Sequence, residues 1–177
     1  SSDLAFLAGL AIGGFWGMGP NFAQRIGLDV AGISAFMASV LGGTLVLQWP
    51  LGWLSDRVSR SLVIAGAALA SAAAAIGLAL AVHAPLPVLL TVGALFGGFG
   101  IPIYSLCLAV ANDDLPAGRL LGTARGLLLL NGMGTAAGPL IGGAAMAVVG
   151  PAGLFLYAAA LLAILAVLAF ARGRRSR

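Results

Sequence analysis

The sequence has no lysine, no glutamate, one cysteine and one histidine, and this shortage excludes several kinds of chemistry. Cys107 has no second cysteine with which to form an intramolecular disulfide, and His83 has no second histidine with which to hold a metal. The apolar runs also lack a buried nucleophile with a base beside it. We therefore expect no enzymatic activity, no catalytic residue, no metal and no cofactor.

Charge is scarce as well: charged residues make up 8% of the chain and hydrophobic residues 61%, with a mean hydropathy of +1.10. Soluble domains have about 25% charged residues. The net charge of +4 comes from arginines in short loops and the tail, which leaves no basic surface for nucleic acid. Lipid is the predicted solvent, and helices are expected because the apolar runs show no alternation of period two.

Apolar runs of about 20 residues predict about six transmembrane helices, called spans 1 to 6 here. They cover residues 4–24, 31–54, 62–82, 87–111, 120–149 and 152–171. The separators are short, so consecutive spans should be antiparallel neighbours in one bundle. We expect an all-α membrane protein with one domain over residues 1–177, an Arg-rich tail at 173–177, and no signal peptide.

The arginines predict the orientation. With the amino terminus on one side of the membrane, the opposite side has only Arg25. Cytoplasmic loops carry the excess of basic residues, so both termini are predicted to lie in the cytoplasm. The arginines on the predicted cytoplasmic side are Arg57, Arg60, Arg119, Arg125, Arg172, Arg174, Arg175 and Arg177.

Polar and aromatic residues are concentrated in spans 1, 2, 4 and 5, while spans 3 and 6 have almost none and are expected to face lipid. Polar side chains at membrane depth usually face a partner helix or a wet cavity. The layout also repeats: the sequence GMGP at 17–20 in span 1 is matched by FGIP at 99–102 in span 4. We expect two inverted three-helix repeats, residues 1–84 and 85–172.

The strongest motif is GWLSDRVSR at residues 52–60, between spans 2 and 3. It resembles the cytoplasmic loop motif of the major facilitator superfamily (MFS), although Ser59 and Ser61 depart from it. The resemblance implies a gating loop formed by Gly52, Asp56, Arg57 and Arg60, in which the Asp carboxylate docks on a helix start of the other half of the transporter. The alternative is that Asp56, Arg57 and Arg60 only terminate helices and follow the preference for basic residues on the cytoplasmic side, without docking on another half.

Span 5 contains GMGTAAGPLIGG at 132–143, which looks like a glycine and proline motif of drug antiporters in the same superfamily. Its glycines fall mostly on one helix face, where a neighbouring backbone can approach closely. A gating or leak-sealing role and plain helix packing both remain open, and both make span 5 an interface helix. The residues assigned to it are Arg125, Gly134, Gly138, Pro139 and Gly142.

Nearly the whole chain resembles spans 7 to 12 of bacterial superfamily members in an efflux or sugar-transporter-like branch. The stretches that carry the resemblance include FWGMGPNFAQRIGLDVAGISAFM, LGGTLVLQWPLGWLSDR and PIYSLCLAVANDDL. The implied protein is the carboxy-terminal half of a secondary transporter that moves a small molecule by alternating access. It would be completed by a covalent first half or by a second copy, with spans 2 and 5 as the homodimer contact.

In that family the first and fourth helices of each half line the substrate cavity. The corresponding residues here are Phe15, Trp16, Asn21, Tyr104 and Ser105, with Gln48 and Asn131 as further candidates. Ordinary packing or an interhelical hydrogen bond is the alternative for each. All five aspartates fall at span ends, so no carboxylate is expected at the midplane.

A second class of function also fits the sequence: a transporter-derived membrane anchor or regulatory scaffold that moves nothing. It predicts the same spans and the same orientation. Only a flux measurement separates it from a transporter.

The orientation is tested by cysteine labelling. In a Cys107→Ala background, a cysteine introduced at His83 should react with an impermeant maleimide in intact cells, because His83 lies in a predicted outer loop. A cysteine introduced at Ser1 should react only after permeabilisation. Labelling of position 1 from outside would contradict the predicted orientation.

Overall fold

The chain is a bundle of helices, and the computed structural model describes residues 2–113 and 120–175. No strand occurs in these ranges. The helices are α1 (Ser2–Arg25), α2 (Val30–Arg57), α3 (Arg60–Leu80), α4 (Leu86–Gly100), α5 (Ile103–Asp113), α6 (Leu120–Val149) and α7 (Gly153–Arg175). The predicted cytoplasmic loop with Asp114 and Arg119, and the tail residue Arg177, lie outside the described ranges.

Local chemistry explains where the helices begin and end. Asp29 caps α2, since its carboxylate accepts a hydrogen bond from the Gly32 amide at 2.8 Å. Gly27 and Gly150 have φ values of +92° and +87°, which glycine adopts at little cost, and they allow the tight turns after α1 and α6. Short turns of this kind keep consecutive helices side by side.

Within the described ranges, five segments are long and apolar enough to cross a membrane: Val30–Arg57, Arg60–Leu80, Leu86–Val110, Ala124–Val149 and Gly153–Arg174. They match predicted spans 2 to 6. Span 1 corresponds to α1, which carries the polar residues Asn21, Gln24 and Arg25 near its end. Because α1 packs along α6 and α7, it is part of the same bundle.

Span 4 differs from the prediction because the structure divides it into α4 and α5. Pro102 has no amide hydrogen to donate to the preceding turn, and a proline ring clashes with the carbonyl four residues earlier in a regular helix. The Ile101 amide still bonds the Gly97 carbonyl at 3.0 Å, and the Leu106 amide bonds the Pro102 carbonyl at 3.0 Å. The segment therefore continues in the same general direction with a local break. Pro20, Pro50 and Pro139, in contrast, lie inside continuous helices.

Helices α1 and α6 run parallel at very close range, because small residues remove the side chains that would separate them. Gly13 faces the Thr135 backbone, and Gly17 faces the Pro139 ring one turn further along both helices. From the α6 side, Gly138 faces the backbone of Gly14. Such approach through glycines is common where lipid supplies no hydrophobic drive for helix association.

Helices α2 and α4 form a second parallel pair with the same kind of contact. Gly97 lies against Val40, and Gly43 lies against the backbone of Ala94. The Thr44 hydroxyl is buried and donates to the Gly97 carbonyl across the interface at 3.1 Å. If spans 1 to 3 correspond to spans 4 to 6, α1 corresponds to α4 and α2 corresponds to α6, so the α1–α6 pair is the counterpart of the α2–α4 pair.

Helices α3 and α7 pack on each other and on the two pairs. The Ser71 hydroxyl of α3 donates to the Phe96 carbonyl of α4 at 2.9 Å, and the Tyr157 hydroxyl of α7 donates to the Leu10 carbonyl of α1 at 3.3 Å. The expectation that spans 3 and 6 mainly face lipid is only partly right. In the most apolar stretch of 18 residues in α3, 61% of the residues are buried inside the bundle, because the alanines of α3 allow neighbouring helices to approach closely.

Buried aromatic rings fill the centre of the bundle between these helices. Ring centroids lie 4.7–6.3 Å apart, mostly in edge-to-face arrangements. The rings belong to Phe15, Phe22, Phe36, Phe96 and Phe155.

Helices α2 and α6 are the least covered of the apolar helices. In the most apolar 18-residue stretch of each of these two helices, only 22% of the residues are buried, compared with at least 44% in the other three candidate spans. The exposed side chains are large and apolar, so these two helices present uncovered faces. They include Leu45, Val46, Trp49 and Trp53 of α2, and Leu129, Met133, Leu140 and Val148 of α6.

The close approach of α1 and α6 predicts the effect of adding one methyl group. In Gly138→Ala, the new Cβ would meet the backbone of Leu10 and Gly14, so the helices must move apart. We expect a loss of about 1–3 kcal/mol in the free energy of unfolding. Thermal unfolding in detergent, followed by tryptophan fluorescence, measures it. The matched control is Gly132→Ala on the same helix, where no atom lies within 4 Å of the added Cβ. Equal effects of the two substitutions would contradict the packing argument.

Candidate functional site

Two pockets contain eight of the eleven residues that the sequence assigned to the substrate cavity or to the gating loop. The first, called the aromatic pocket here, has a volume of about 220 Å³ and lies between α1, the α4–α5 break and α6. Its lining consists of small or apolar groups and a few polar ones. The lining residues are Ala8, Gly9, Ile12, Trp16, Gly100, Ile101, Tyr104, Asn131 and Thr135.

The polar groups of the aromatic pocket are held by the helices that surround it. The Asn131 amide nitrogen donates to the Ala5 carbonyl of α1 at 3.0 Å, which bridges α6 to α1 and orients the amide. The Thr135 hydroxyl donates to the Asn131 carbonyl within α6 at 2.9 Å. Trp16 is 39% exposed and meets Phe15 edge-on, with ring centroids 5.5 Å apart. Indole and phenol groups can stack on a ligand and also form hydrogen bonds.

The break in span 4 contributes directly to this pocket. Ile101 lies within the break and lines the pocket together with Gly100 and Tyr104, on either side of it. Gly100 has no side chain to fill the space, and an added Cβ there would meet the Ser71 hydroxyl and Ile12. The pocket therefore depends on a glycine before the break and an aromatic residue after it.

The second pocket, called the loop pocket here, has a volume of about 270 Å³ and lies between the end of α2, the start of α3 and α5. It contains four residues of the loop motif, Gly52, Ser55, Asp56 and Arg60, together with Gln48 and Ser105. The sequence assigned these last two to the substrate cavity with Trp16. The structure instead brings them together with the loop motif.

Within the loop motif, the Arg60 guanidinium lies 3.4 Å from the Asp56 carboxylate. The Asp56 side chain is 70% exposed, so this pair is screened by solvent and contributes little to stability. Arg57 stacks on the Trp53 ring, 3.9 Å from its centroid. This cation–π contact holds the guanidinium beside α2.

The remaining predicted residues lie elsewhere. Phe15 is buried among the core phenylalanines and lines neither pocket, because it points from α1 in a different direction from Trp16. Asn21 lines neither pocket; its buried amide oxygen has no hydrogen-bond partner among the described residues.

On α6, most of the predicted interface residues face α1. Gly134, Gly138 and Pro139 contact α1, and Gly142 lies near Gly14 of α1 as well as near Leu154 and Tyr157 of α7. Arg125 is exposed near the start of α6. The glycine and proline motif is thus in contact within the bundle, while the larger apolar residues of α6 are exposed.

Sequence reasoning did not assign Ile12, Ile101 or Thr135 to a cavity. Ile12 and Ile101 carry no polar signal in apolar spans. Thr135 lies one turn after Asn131 on α6, and that helical spacing could have identified it.

No carboxylate of the described residues lines the aromatic pocket. Among the side chains that the structure describes, Asp3, Asp29 and Asp56 are exposed and lie at helix ends. Asp3 pairs with Arg172 at 2.8 Å, which joins the start of α1 to the end of α7. In the described ranges, no three His, Cys, Asp or Glu residues lie close enough together to hold a metal ion. The chemistry available at the aromatic pocket is therefore recognition of a ligand without a charged partner from this chain.

Comparison with known proteins gives a consistent result. The family model of the Major Facilitator Superfamily matches residues 4–177. An uncharacterized MFS-type transporter of Yersinia pestis (strain Pestoides F) is 26% identical over 133 residues, which are 75% of this chain and 34% of that protein. The uncharacterized MFS-type transporter YcaD of Escherichia coli O17:K52:H18 is 28% identical over the same shares of both chains. The chain thus matches about a third of the length of these relatives. No solved structure matches it.

The bridge from Asn131 to Ala5 predicts a measurable cost. In Asn131→Leu, the Ala5 carbonyl loses its side-chain donor, and we expect a loss of about 0.5–1.5 kcal/mol in the free energy of unfolding. The control is Thr135→Val, which removes a hydroxyl bonded within α6 only. Denaturation in detergent, followed by circular dichroism, compares the two. A larger loss for Thr135→Val would contradict the interhelical role of Asn131.

Proposed function

Because the chain belongs to the Major Facilitator Superfamily, whose members are membrane transporters, we propose that it is one six-span half of a secondary transporter. The transporter would move a small molecule across the bacterial inner membrane by alternating access, with both termini of this chain in the cytoplasm. The observation that carries the proposal is the aromatic pocket, where the first span, the broken fourth span and the fifth span meet.

Two observations support a half-transporter. The matched segment corresponds to 34% of the relatives' length. The apolar faces of α2 and α6 are also left uncovered by the rest of the chain. We propose that these faces contact a second six-span unit, which is either covalently attached or a second copy. The sequence resemblance favours the carboxy-terminal half.

Two inverted repeats, residues 1–84 and 85–172, are supported by the packing. The helices of the α1–α6 pair are parallel, as are those of the α2–α4 pair, and in both pairs glycines allow the two helices to approach closely. The hydrogen bonds from Tyr157 to α1 and from Ser71 to α4 also join corresponding helices. Repeats of this kind place a substrate site where they meet, near the middle of the membrane.

The gating loop would act through Asp56. Its exposed carboxylate could leave Arg60 for the positive end of a helix in the other half, which favours a negative charge. Arg57 and Arg60 would hold the loop against α2 and α3. Because the aromatic pocket has no carboxylate from this chain, any proton relay would be supplied by the other half.

A flux assay in liposomes tests the proposal. The intact natural product that contains this chain should transport a substrate, and Trp16→Ala and Tyr104→Ala should each reduce the flux at least about tenfold if each removes about 1.4 kcal/mol of binding. The control is Leu69→Ala on the exposed face of α3, outside both pockets, which should leave the flux unchanged.

Folding of each variant is checked by its elution as a single species in detergent. Unchanged flux in both aromatic variants would remove the aromatic pocket from the transport path. Absence of flux for every compound and partner condition would instead identify a scaffold or membrane anchor.

A further inference from the structure

Among the residues that the structure describes, those lining the aromatic pocket offer rings and hydrogen-bonding groups but no ionised side chain. We propose that it selects uncharged compounds with a hydroxyl-bearing ring, either a sugar ring or a phenolic ring, over ionised analogues of the same shape. This inference rests on the proposed function, since it names the substrate class of the same site.

The first step of the argument concerns charge. An ionised group placed against this lining loses water and gains no opposite charge from the chain, which makes its transfer unfavourable. The nearest described aspartate along α1 is Asp3, which is already paired with Arg172. Arg125, the nearest described arginine along α6, is exposed and does not line the pocket. The pocket therefore discriminates against both signs of charge.

The second step concerns hydrogen bonds. The Asn131 side-chain amide donates one of its two hydrogens to the Ala5 carbonyl, so its second N–H and its oxygen remain for a ligand. The Thr135 hydroxyl has given its hydrogen to the Asn131 carbonyl, so it too remains an acceptor. Trp16 supplies an N–H donor, and Tyr104 supplies a phenol that can donate or accept. This combination of donors and acceptors in one pocket fits hydroxyl groups, which both donate and accept.

The third step concerns shape. Ala8, Gly9 and Gly100 give the pocket small walls, and Ile12 and Ile101 give it apolar ones. A volume of about 220 Å³ is suited to one ring with its substituents. An apolar ring face can stack on the Trp16 indole while the hydroxyls at its edge reach the polar groups.

Binding is measured with Trp16 as the reporter. Replacing Trp49 and Trp53 with Phe removes the other two of the three tryptophans. The protein is placed in phosphatidylcholine nanodiscs, because alkyl-glycoside detergents carry the chemistry under test. The sugar arm compares phenyl glucoside with phenyl glucuronide. The phenolic arm compares 4-hydroxybenzamide with 4-hydroxybenzoate and 4-hydroxybenzylamine.

In at least one arm, the neutral compound should change Trp16 emission with a Kd at least about tenfold lower than its ionised analogues. The arm that responds identifies the ring. Asn131→Asp places a carboxylate in the pocket and should increase the affinity for 4-hydroxybenzylamine while it weakens binding of 4-hydroxybenzoate. The control is Gln24→Glu, the same chemical change at an exposed position of α1 outside both pockets.

Three results would overturn the inference: equal or tighter binding of an ionised analogue, no Trp16 response to any neutral compound, or the same shift in preference for Gln24→Glu as for Asn131→Asp. Failure of the proposed function looks different. In that case the neutral preference in binding persists, but the intact natural product in liposomes shows no flux.

Discussion

The close contact between α1 and α6, and its counterpart between α2 and α4, is the constraint on which the rest of the structure depends. Lipid offers no hydrogen bonds to polar groups and no hydrophobic reward for pairing helices, so association relies on tight packing. Gly13, Gly97 and Gly138 allow that packing because their neighbours are backbone atoms. The approach also brings the Asn131 amide to the Ala5 carbonyl and the Thr44 hydroxyl to the Gly97 carbonyl. The aromatic pocket is the space left beside the first of these contacts.

The outer faces follow from the same arrangement. Glycines make the closest contacts of α2 with α4 and of α6 with α1, and many bulky residues of α2 and α6 are directed away from the bundle. Phe36 of α2 and Met146 of α6 are bulky residues that are buried. A helix that is apolar on every side does not indicate by periodicity which side is inside. In these two helices the glycine contacts locate the inner face.

Much of the fold was predictable from composition and run length, but the site was less so. The helices and most of their ends agree with the apolar runs, because the bilayer fixes the length of a span. The break at Pro102 could not be distinguished from Pro20, Pro50 or Pro139, which lie inside continuous helices. Phe15 and Trp16 are adjacent and both aromatic, yet one lies in the core and the other in a pocket. Polarity showed that Gln48 and Ser105 face something other than lipid, but only the fold shows which pocket they line.

The division of span 4 has a mechanical consequence. Tyr104 and Ser105 are consecutive residues in the first turn of α5, yet Tyr104 borders the aromatic pocket and Ser105 borders the loop pocket. A short helix is a stiff body, so a rotation about its axis that withdraws one of these side chains from its pocket displaces the other at the same time. The broken turn has the same property, since Ile101 borders the aromatic pocket and Pro102 borders the loop pocket.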